Sequence, residues 1–230
     1  MAEAPSQLTL PLAHSPQYGR DDFVAGPCNE AALKLIERWP DWPAPIVVLS
    51  GPAGSGKTHL THIWAERAGA EVLAASGLSG APVRPGGVLA VEDVDAEAVP
   101  EEGLFHLINR VKEAGASLLI TSRLAAPEWH VSLPDLRSRL RMAAPATLAS
   151  PDDELLRKVL VKLFADRQLI VDRAVIAYLL VRMERSLAAA LLLVERLDRE
   201  ALAAASPITR PMSARILAES RGVEEFSEPD

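Results

Sequence analysis

The most restrictive feature of the sequence is a glycine-rich loop set between a strand pattern and a helix pattern. Residues 51–58 match G-x-x-x-x-G-K-[ST]. A β-branched run at 46–49 predicts a buried parallel strand before the loop, and a helix is predicted from Lys57 to about Ala68. A chance glycine turn is the alternative, but this context favours a loop whose main-chain N–H groups point at phosphate oxygens.

Each position of this loop has a predicted role in holding a nucleotide. Lys57 supplies a cation at the β- and γ-phosphates, and the Thr58 hydroxyl is a candidate Mg²⁺ ligand. The residues expected to bind ADP or ATP here are Gly51, Pro52, Ala53, Gly54, Ser55, Gly56, Lys57, Thr58 and His59.

Polar residues follow two further strand-like runs. Glu92 and Asp93 come after the apolar run 88–91, where carboxylates can hold Mg²⁺ and orient a water molecule. We predict Glu92 on the metal side and Asp93 as the water-orienting acid; a solvated turn is the alternative. Thr121 ends the run 117–121, and its hydroxyl either contacts the γ-phosphate or is an ordinary polar strand end.

The order of elements predicts an α/β fold with a helical C-terminal part. Strand and helix patterns alternate up to about residue 149, which indicates βαβ crossovers and a parallel sheet covered by helices on both faces. Helical spacing alone follows, beginning with Ser150 as cap and Pro151 at the first helical position, with Asp172 and Ser186 capping later helices. We predict an arm at 1–20, a nucleotide domain at 21–149, a helical lid at 150–221 and an acidic tail at 222–230.

Composition narrows the class of protein. The net charge of −7 argues against coating nucleic acid by bulk electrostatics. A single cysteine, Cys28, excludes an intrachain disulfide and suits a reducing compartment. Because the N-terminus lacks a signal-peptide pattern and no apolar run could span a bilayer, we expect a cytoplasmic protein that does not bind membranes.

Taken in this order, the motifs resemble the AAA+ module of the DnaA family, over about residues 22–217. Residues 23–26, with Asn29, resemble the segment that lines the adenine side of the family's pocket, which implies nucleotide contacts from Phe23 and Val24. The resemblance implies an AAA+ P-loop fold, a parallel αβα sandwich followed by a small helical lid.

Residues 133–140 resemble the family's box VII, whose final arginine acts on the nucleotide of a neighbouring subunit. The resemblance therefore implies an arginine finger at Arg139. Arg137 and Arg141 alternate with it, and all three are also compatible with solvated charges that flank an edge strand.

The N-terminal arm carries a short motif, Gln7-Leu8-Thr9-Leu10-Pro11-Leu12. It is similar to the QL-x-LPL motif by which regulatory members of the family bind the DNA polymerase III sliding clamp (the beta subunit). An extended peptide of this kind places its leucines in apolar pockets while the Gln7 amide bonds at the rim. The residues implied in clamp binding are Gln7, Leu8, Leu10, Pro11 and Leu12.

One position departs from the family pattern. Ala188 stands where the arginine of the sensor II helix is expected. Arg185, one turn earlier, is a candidate nucleotide contact, although a solvated charge on the lid surface is the favoured alternative. Loss of the sensor II arginine would weaken sensing of the γ-phosphate, which favours stable ADP binding over rapid turnover of ATP.

The resemblance implies two functions that the sequence leaves open. The first is a regulator that promotes hydrolysis of ATP bound to DnaA and so prevents re-initiation, since the chain leaves no room for the family's helix-turn-helix domain. Its partners would be DnaA, the clamp, DNA contacted through the clamp (hence association with the nucleoid) and further copies of itself. The second is an autonomous ATPase of the helicase-loader type.

Overall fold

The computed structural model describes residues 18–78, 82–95 and 98–224. The clamp-motif prediction at 7–12 lies outside these residues. Five strands form one sheet: β1 (Ile46–Ser50), β2 (Glu71–Ala74), β3 (Val88–Val94), β4 (Ser117–Ser122) and β5 (Ala144–Thr147). The helices are α1 (Glu30–Glu37), α2 (Lys57–Ala68), α3 (Glu101–Glu113), α4 (Pro134–Arg141), α5 (Asp153–Asp166), α6 (Arg173–Arg182), α7 (Leu187–Ala203) and α8 (Arg210–Glu224).

The sheet is parallel throughout, with strand order β2-β3-β4-β1-β5. Side chains alternate between its faces, so that Val47 and Leu49 pack with α1 and α2, whereas Val48 packs on the side of α3 and α4. Strand β1 is buried along its whole length. The predicted αβα sandwich is confirmed.

The sequence patterns did not predict helix α1, helix α4 or strand β5 of this domain. Strand β5 contains Pro145, which lacks an N–H group, and it pairs with β1 alone at the edge of the sheet. Helix α4 replaces the edge strand considered for Arg137, Arg139 and Arg141, and that interpretation is wrong. Leu136 and Leu140 are buried, whereas Ser138 between them is exposed; a strand would place all three side chains on one face, and a helix does not.

Helices α5 to α8 form the lid, and they pack around a separate apolar core. The predicted caps are confirmed at Asp172, which accepts the N–H of Ala174 (2.7 Å), and at Ser186, which accepts that of Ala189 (3.2 Å). The first lid helix begins later than predicted. Asp152, not Ser150, is its cap, because its carboxylate accepts the N–H of Leu155 at 2.7 Å. Within the described residues, no helix combines the length and apolarity needed to cross a bilayer.

Candidate functional site

The glycine-rich loop joins β1 to α2 at the carboxyl edge of the sheet. Main-chain hydrogen bonds hold the start of the loop to the two neighbouring strands. The N–H of Gly51 donates to the carbonyl of Ser122 at the end of β4 (3.2 Å), and the N–H of Leu148, just after β5, donates to the carbonyl of Ser50 (2.8 Å). Gly56 caps α2 with φ of 102°, a left-handed conformation that side-chain-bearing residues rarely adopt. The loop therefore opens directly onto the N-terminus of a helix that is anchored by buried Leu60 and Trp64.

Lys57 lies under the loop, 7% exposed. Its ammonium donates to the carbonyls of Gly51 (2.7 Å) and Pro52 (2.9 Å). An ammonium has three donors, so one remains for an anion held in the loop. Burial lowers the pKa of Lys57, the charge of Asp93 opposes that shift, and the charge of Arg123 adds to it. The negative charge of an anion bound in the loop would offset the effect of burial and favour the charged ammonium.

The other predicted loop residues lie around this ammonium. Pro52 and Ala53 are exposed, Gly54 and Thr58 are half-buried, and Ser55 is buried. The hydroxyl of Ser55 is buried without a hydrogen-bond partner among the described residues. Since an unpaired buried hydroxyl is costly, this atom indicates a missing polar partner at the loop.

Glu92 and Asp93 end β3 at the same edge. Glu92 pairs with Ala74 of β2, and its Oε1 is buried with no partner among the described residues. The pairing with β4 is broken between Val91 and Val94, and Asp93 has φ of 53°. Because of this irregularity, the side chains of Glu92 and Asp93 do not follow the regular alternation between the two faces of the sheet.

The structure brings Thr121 to Asp93. The Thr121 hydroxyl, on β4, accepts the main-chain N–H of Asp93 at 2.9 Å and keeps its own proton to donate. Ser122, the second hydroxyl residue at the end of this strand, has a fully buried hydroxyl with no described partner.

The segment before α1 lies beside the start of α2. The buried ring of Phe23 meets His59 edge-on, with 5.2 Å between ring centroids. Asn29 holds the segment in place, because its side chain donates to the carbonyl of Val24 (3.0 Å) and accepts the N–H of Gly26 (2.8 Å). His59 Nε2 donates to the carbonyl of Gly19 (3.0 Å), and burial lowers the pKa of its ring.

The lid contacts the loop through the first turn of α7. The N–H of Leu187 donates to the carbonyl of Gly54 at 2.9 Å. A Cβ on Gly54 would lie 2.0 Å from Ser186 Oγ and 3.3 Å from Ala188 Cβ. Ala188 therefore stands beside the loop, whereas Arg185 forms an exposed ion pair with Asp153 (2.9 Å).

Arg139 lies on a different surface, made by α3 and α4. Its guanidinium stands 5.2 Å from the ring centroid of Phe105 on α3. The neighbouring Arg137 donates to the carbonyl of Val131, whereas Arg141 is exposed. Glu101 accepts the main-chain N–H groups of Ser132 and Leu133, each at 2.7 Å, and so fixes the entry to α4.

The residues at the sheet edge fit a nucleotide with a divalent cation. Three buried oxygens lack partners in the described structure, on Ser55, Glu92 and Ser122, and Lys57 has one donor to spare. Carboxylate and hydroxyl oxygens are the ligands that Mg²⁺ prefers, and it commonly takes only one or two from the protein beside phosphate oxygens. Glu92 and Thr58 are the residues that would hold it.

No protein-family model matches this chain. Among solved structures, the chain is similar to domain III of the replication initiation protein DnaA of Thermotoga maritima, with a TM-score of 0.74 and 19% identity over 89% of this chain and 97% of that one. The replication initiator DnaA bound to AMPPCP and single-stranded DNA matches with a TM-score of 0.64 and 18% identity, over 80% of this chain and 65% of that one. The RuvB Holliday junction branch migration motor of Thermotoga maritima matches with a TM-score of 0.62 and 18% identity, over 82% of this chain and 65% of that one. The chain therefore has the AAA+ P-loop fold, a parallel αβα sandwich followed by a helical lid.

Proposed function

We propose that this chain is a regulator of the Hda type, which binds adenine nucleotide and promotes hydrolysis of ATP bound to DnaA. The observation that carries the proposal is the separation of two surfaces. The loop around Lys57 suits a resident nucleotide, whereas Arg139 lies on the α3–α4 surface beside Phe105. A cation on an outer surface suits the nucleotide of a neighbouring molecule rather than the chain's own.

The resident nucleotide organises the protein in this proposal. It would be ADP or ATP with Mg²⁺, held by the loop, by Glu92 and Thr58, and by the segment of Phe23 and Val24. Because the lid contacts the loop at Gly54, a bound nucleotide also stabilises the arrangement of lid and sandwich. Thr121 and Asp93 orient water, and the partnerless Oε1 of Glu92 supports a metal there.

The sliding clamp would bring the regulator to DNA. Gln7, Leu8, Leu10, Pro11 and Leu12 form the clamp-binding segment, and contact with DNA is indirect. A variant with Gln7→Ala and Leu10→Ala should lose binding to the beta clamp in surface plasmon resonance. Ser15→Ala with Pro16→Ala, in the same arm but outside the motif, is the matched control. Equal binding by both variants would remove the arm from the proposal.

The deciding experiment is turnover of DnaA-bound ATP, with clamp loaded on DNA. Arg139→Ala should abolish the stimulation, since arginine fingers contribute about 10³ to 10⁵ in rate. Arg141→Ala, an exposed arginine of the same helix, should leave it intact. Both variants should still bind nucleotide. Normal stimulation by Arg139→Ala would show that the finger is elsewhere.

A second function, autonomous ATP hydrolysis of the helicase-loader type, is favoured by one observation. Asp93 is held by Thr121 at the same sheet edge as Lys57 and Glu92, which is where a water-orienting acid would be needed. Basal hydrolysis by the isolated protein distinguishes the two functions. Sustained turnover that Asp93→Asn abolishes would favour the autonomous enzyme, and a tightly held nucleotide without turnover would favour the regulator.

A further inference from the structure

Arg123 lies at the edge of the sheet, between the phosphate loop and the acids. It follows Ser122, the last residue of β4, and β4 is the strand between β1 and β3. Ser122 pairs with Ser50 on one side and with Val94 on the other. Arg123 therefore extends β4 at the level where β1 becomes the loop and one residue past Val94, which follows Asp93.

The charge of Arg123 has no neutralising partner among the described residues. Its side chain is exposed, and none of the described hydrogen bonds or ion pairs includes it. Lys57 begins α2 at the same edge of the sheet, directly after the loop that follows β1. Two cations that face one sheet edge repel each other unless an anion lies between them.

The lid residues that the structure places against the loop bring no cation there. Ala188 packs its methyl group toward Gly54, and Arg185 is paired with Asp153. Lys57 has one donor left after its two bonds to loop carbonyls. Besides Mg²⁺, a triphosphate in the loop would therefore have one donor of Lys57 near its terminal phosphate, and Arg123 is the further cation that this edge of the sheet offers.

We propose that Arg123 binds the terminal phosphate of the chain's own nucleotide and makes the site prefer triphosphate over diphosphate. This inference rests on the proposed nucleotide site and concerns a cation in the same chain, distinct from Arg139. The guanidinium suits a phosphate because its planar donors bind two oxygens at once. Its strand, β4, lies next to β3 and its two acids, which is the side of the site where the terminal phosphate and its metal are proposed.

The test is calorimetry with Mg²⁺ and either ADP or the non-hydrolysable analogue AMPPCP. Arg123→Gln should raise the Kd for AMPPCP about tenfold or more, the effect expected for losing a charge-assisted bond, and change the Kd for ADP by less than about twofold. Arg123→Lys should recover part of the loss. Arg173→Gln, an exposed arginine in the lid, is the matched control and should change neither.

The outcomes separate this inference from the nucleotide site itself. If the unmodified chain binds neither nucleotide, the site and the inference both fail. If it binds both and Arg123→Gln weakens them equally, or weakens neither, only the role of Arg123 is wrong. Thermal unfolding of each variant, with and without ADP, establishes that a changed Kd does not come from a damaged fold.

Discussion

The main-chain N–H of Leu187, the first residue of α7, donates a 2.9 Å hydrogen bond to the carbonyl of Gly54 in the glycine-rich loop. The helix that begins at Leu187 would otherwise have an unsatisfied N–H at its first turn. The carbonyl of Gly54 thus provides an acceptor for the first turn of α7, and the same hydrogen bond attaches the loop to the lid. Movement of either one must alter the other.

Gly54→Ala should uncouple lid and loop. Gly54 has φ of 67°, and the added Cβ would lie 2.0 Å from Ser186 Oγ. We expect a loss of about 1–3 kcal/mol in the free energy of unfolding, from backbone strain together with a displaced helix cap. Urea denaturation measures the loss, and nucleotide affinity should fall in parallel.

A second substitution separates the clash from the strain. Ser186→Gly removes the two nearest of the three atoms that the new Cβ would meet and leaves Ala188 Cβ at 3.3 Å, and glycine is an acceptable helix cap. The double variant should therefore recover part of the stability that Gly54→Ala loses. Strict additivity of the two changes would contradict the contact between lid and loop.

His59 should make stability depend on pH. Burial lowers the pKa of its ring, against the carbonyl of Gly19 and the charge of Asp22, which favour the protonated form. Above about pH 6.5 the ring is neutral in both the folded and the unfolded chain. As the pH falls below that value, the unfolded chain binds the proton more readily, so stability decreases until the folded pKa is passed.

The measurement compares unfolding midpoints at pH 8 and pH 5.5. His59→Gln keeps a donor for Gly19 but does not titrate, so it should reduce the dependence on pH. His106→Gln, at an exposed position on α3, should leave the dependence as it is in the unmodified chain. The same slope in all three proteins would show that His59 is not the group responsible.

The central part of the fold follows from the sequence because there local pattern and tertiary position agree. An apolar run, a glycine loop and a helix with buried Leu60 and Trp64 fix β1 to α2, and Ser186 caps its helix as its residue type indicates. Strand β5 could not be predicted, because Ala-Pro-Ala-Thr has little strand preference and exists as a strand only through its pairing with β1.

The parts of the site that escaped prediction depend on contacts distant in sequence. Asp93 takes a left-handed conformation because the Thr121 hydroxyl, 28 residues away, accepts its N–H. The hydroxyls of Ser55 and Ser122, which have no partner within the described ranges, become informative only when their burial is known. The ion pair of Arg185 with Asp153 likewise joins two lid segments that no local pattern connects.

Glu101 should position the surface that carries Arg139. Its carboxylate accepts two N–H groups just before α4, and these bonds lower its pKa. Glu101→Ala should reduce the stimulation of DnaA-bound ATP hydrolysis without changing nucleotide affinity. The neighbouring exposed Glu102→Ala is the control. An unaltered stimulation in both variants would mean that α4 is held by its buried leucines alone.

Lowering the pH should weaken the same two hydrogen bonds before α4 that Glu101→Ala removes. Because the folded pKa of Glu101 is lowered, its contribution to stability is present above about pH 4.5 and is lost as the pH falls through the folded value. Hydrogen exchange at the amides of Ser132 and Leu133, compared with the Glu101→Ala variant at neutral pH, measures this loss directly.

Thr121 gives the sharpest test of how the acids are arranged. Thr121→Val keeps the shape of the side chain but leaves the N–H of Asp93 without its acceptor, in a residue whose backbone is already left-handed. A donor that loses its partner costs about 1–3 kcal/mol. Relaxation of Asp93 toward an ordinary conformation would displace its carboxylate, so hydrolysis of ATP, where present, should fall by more than the affinity for ADP. Thr121→Ser retains the hydroxyl and should preserve both properties. If Thr121→Val and Thr121→Ser behave alike, the hydroxyl does not hold Asp93, and the acid's position is set by the break in β3 alone.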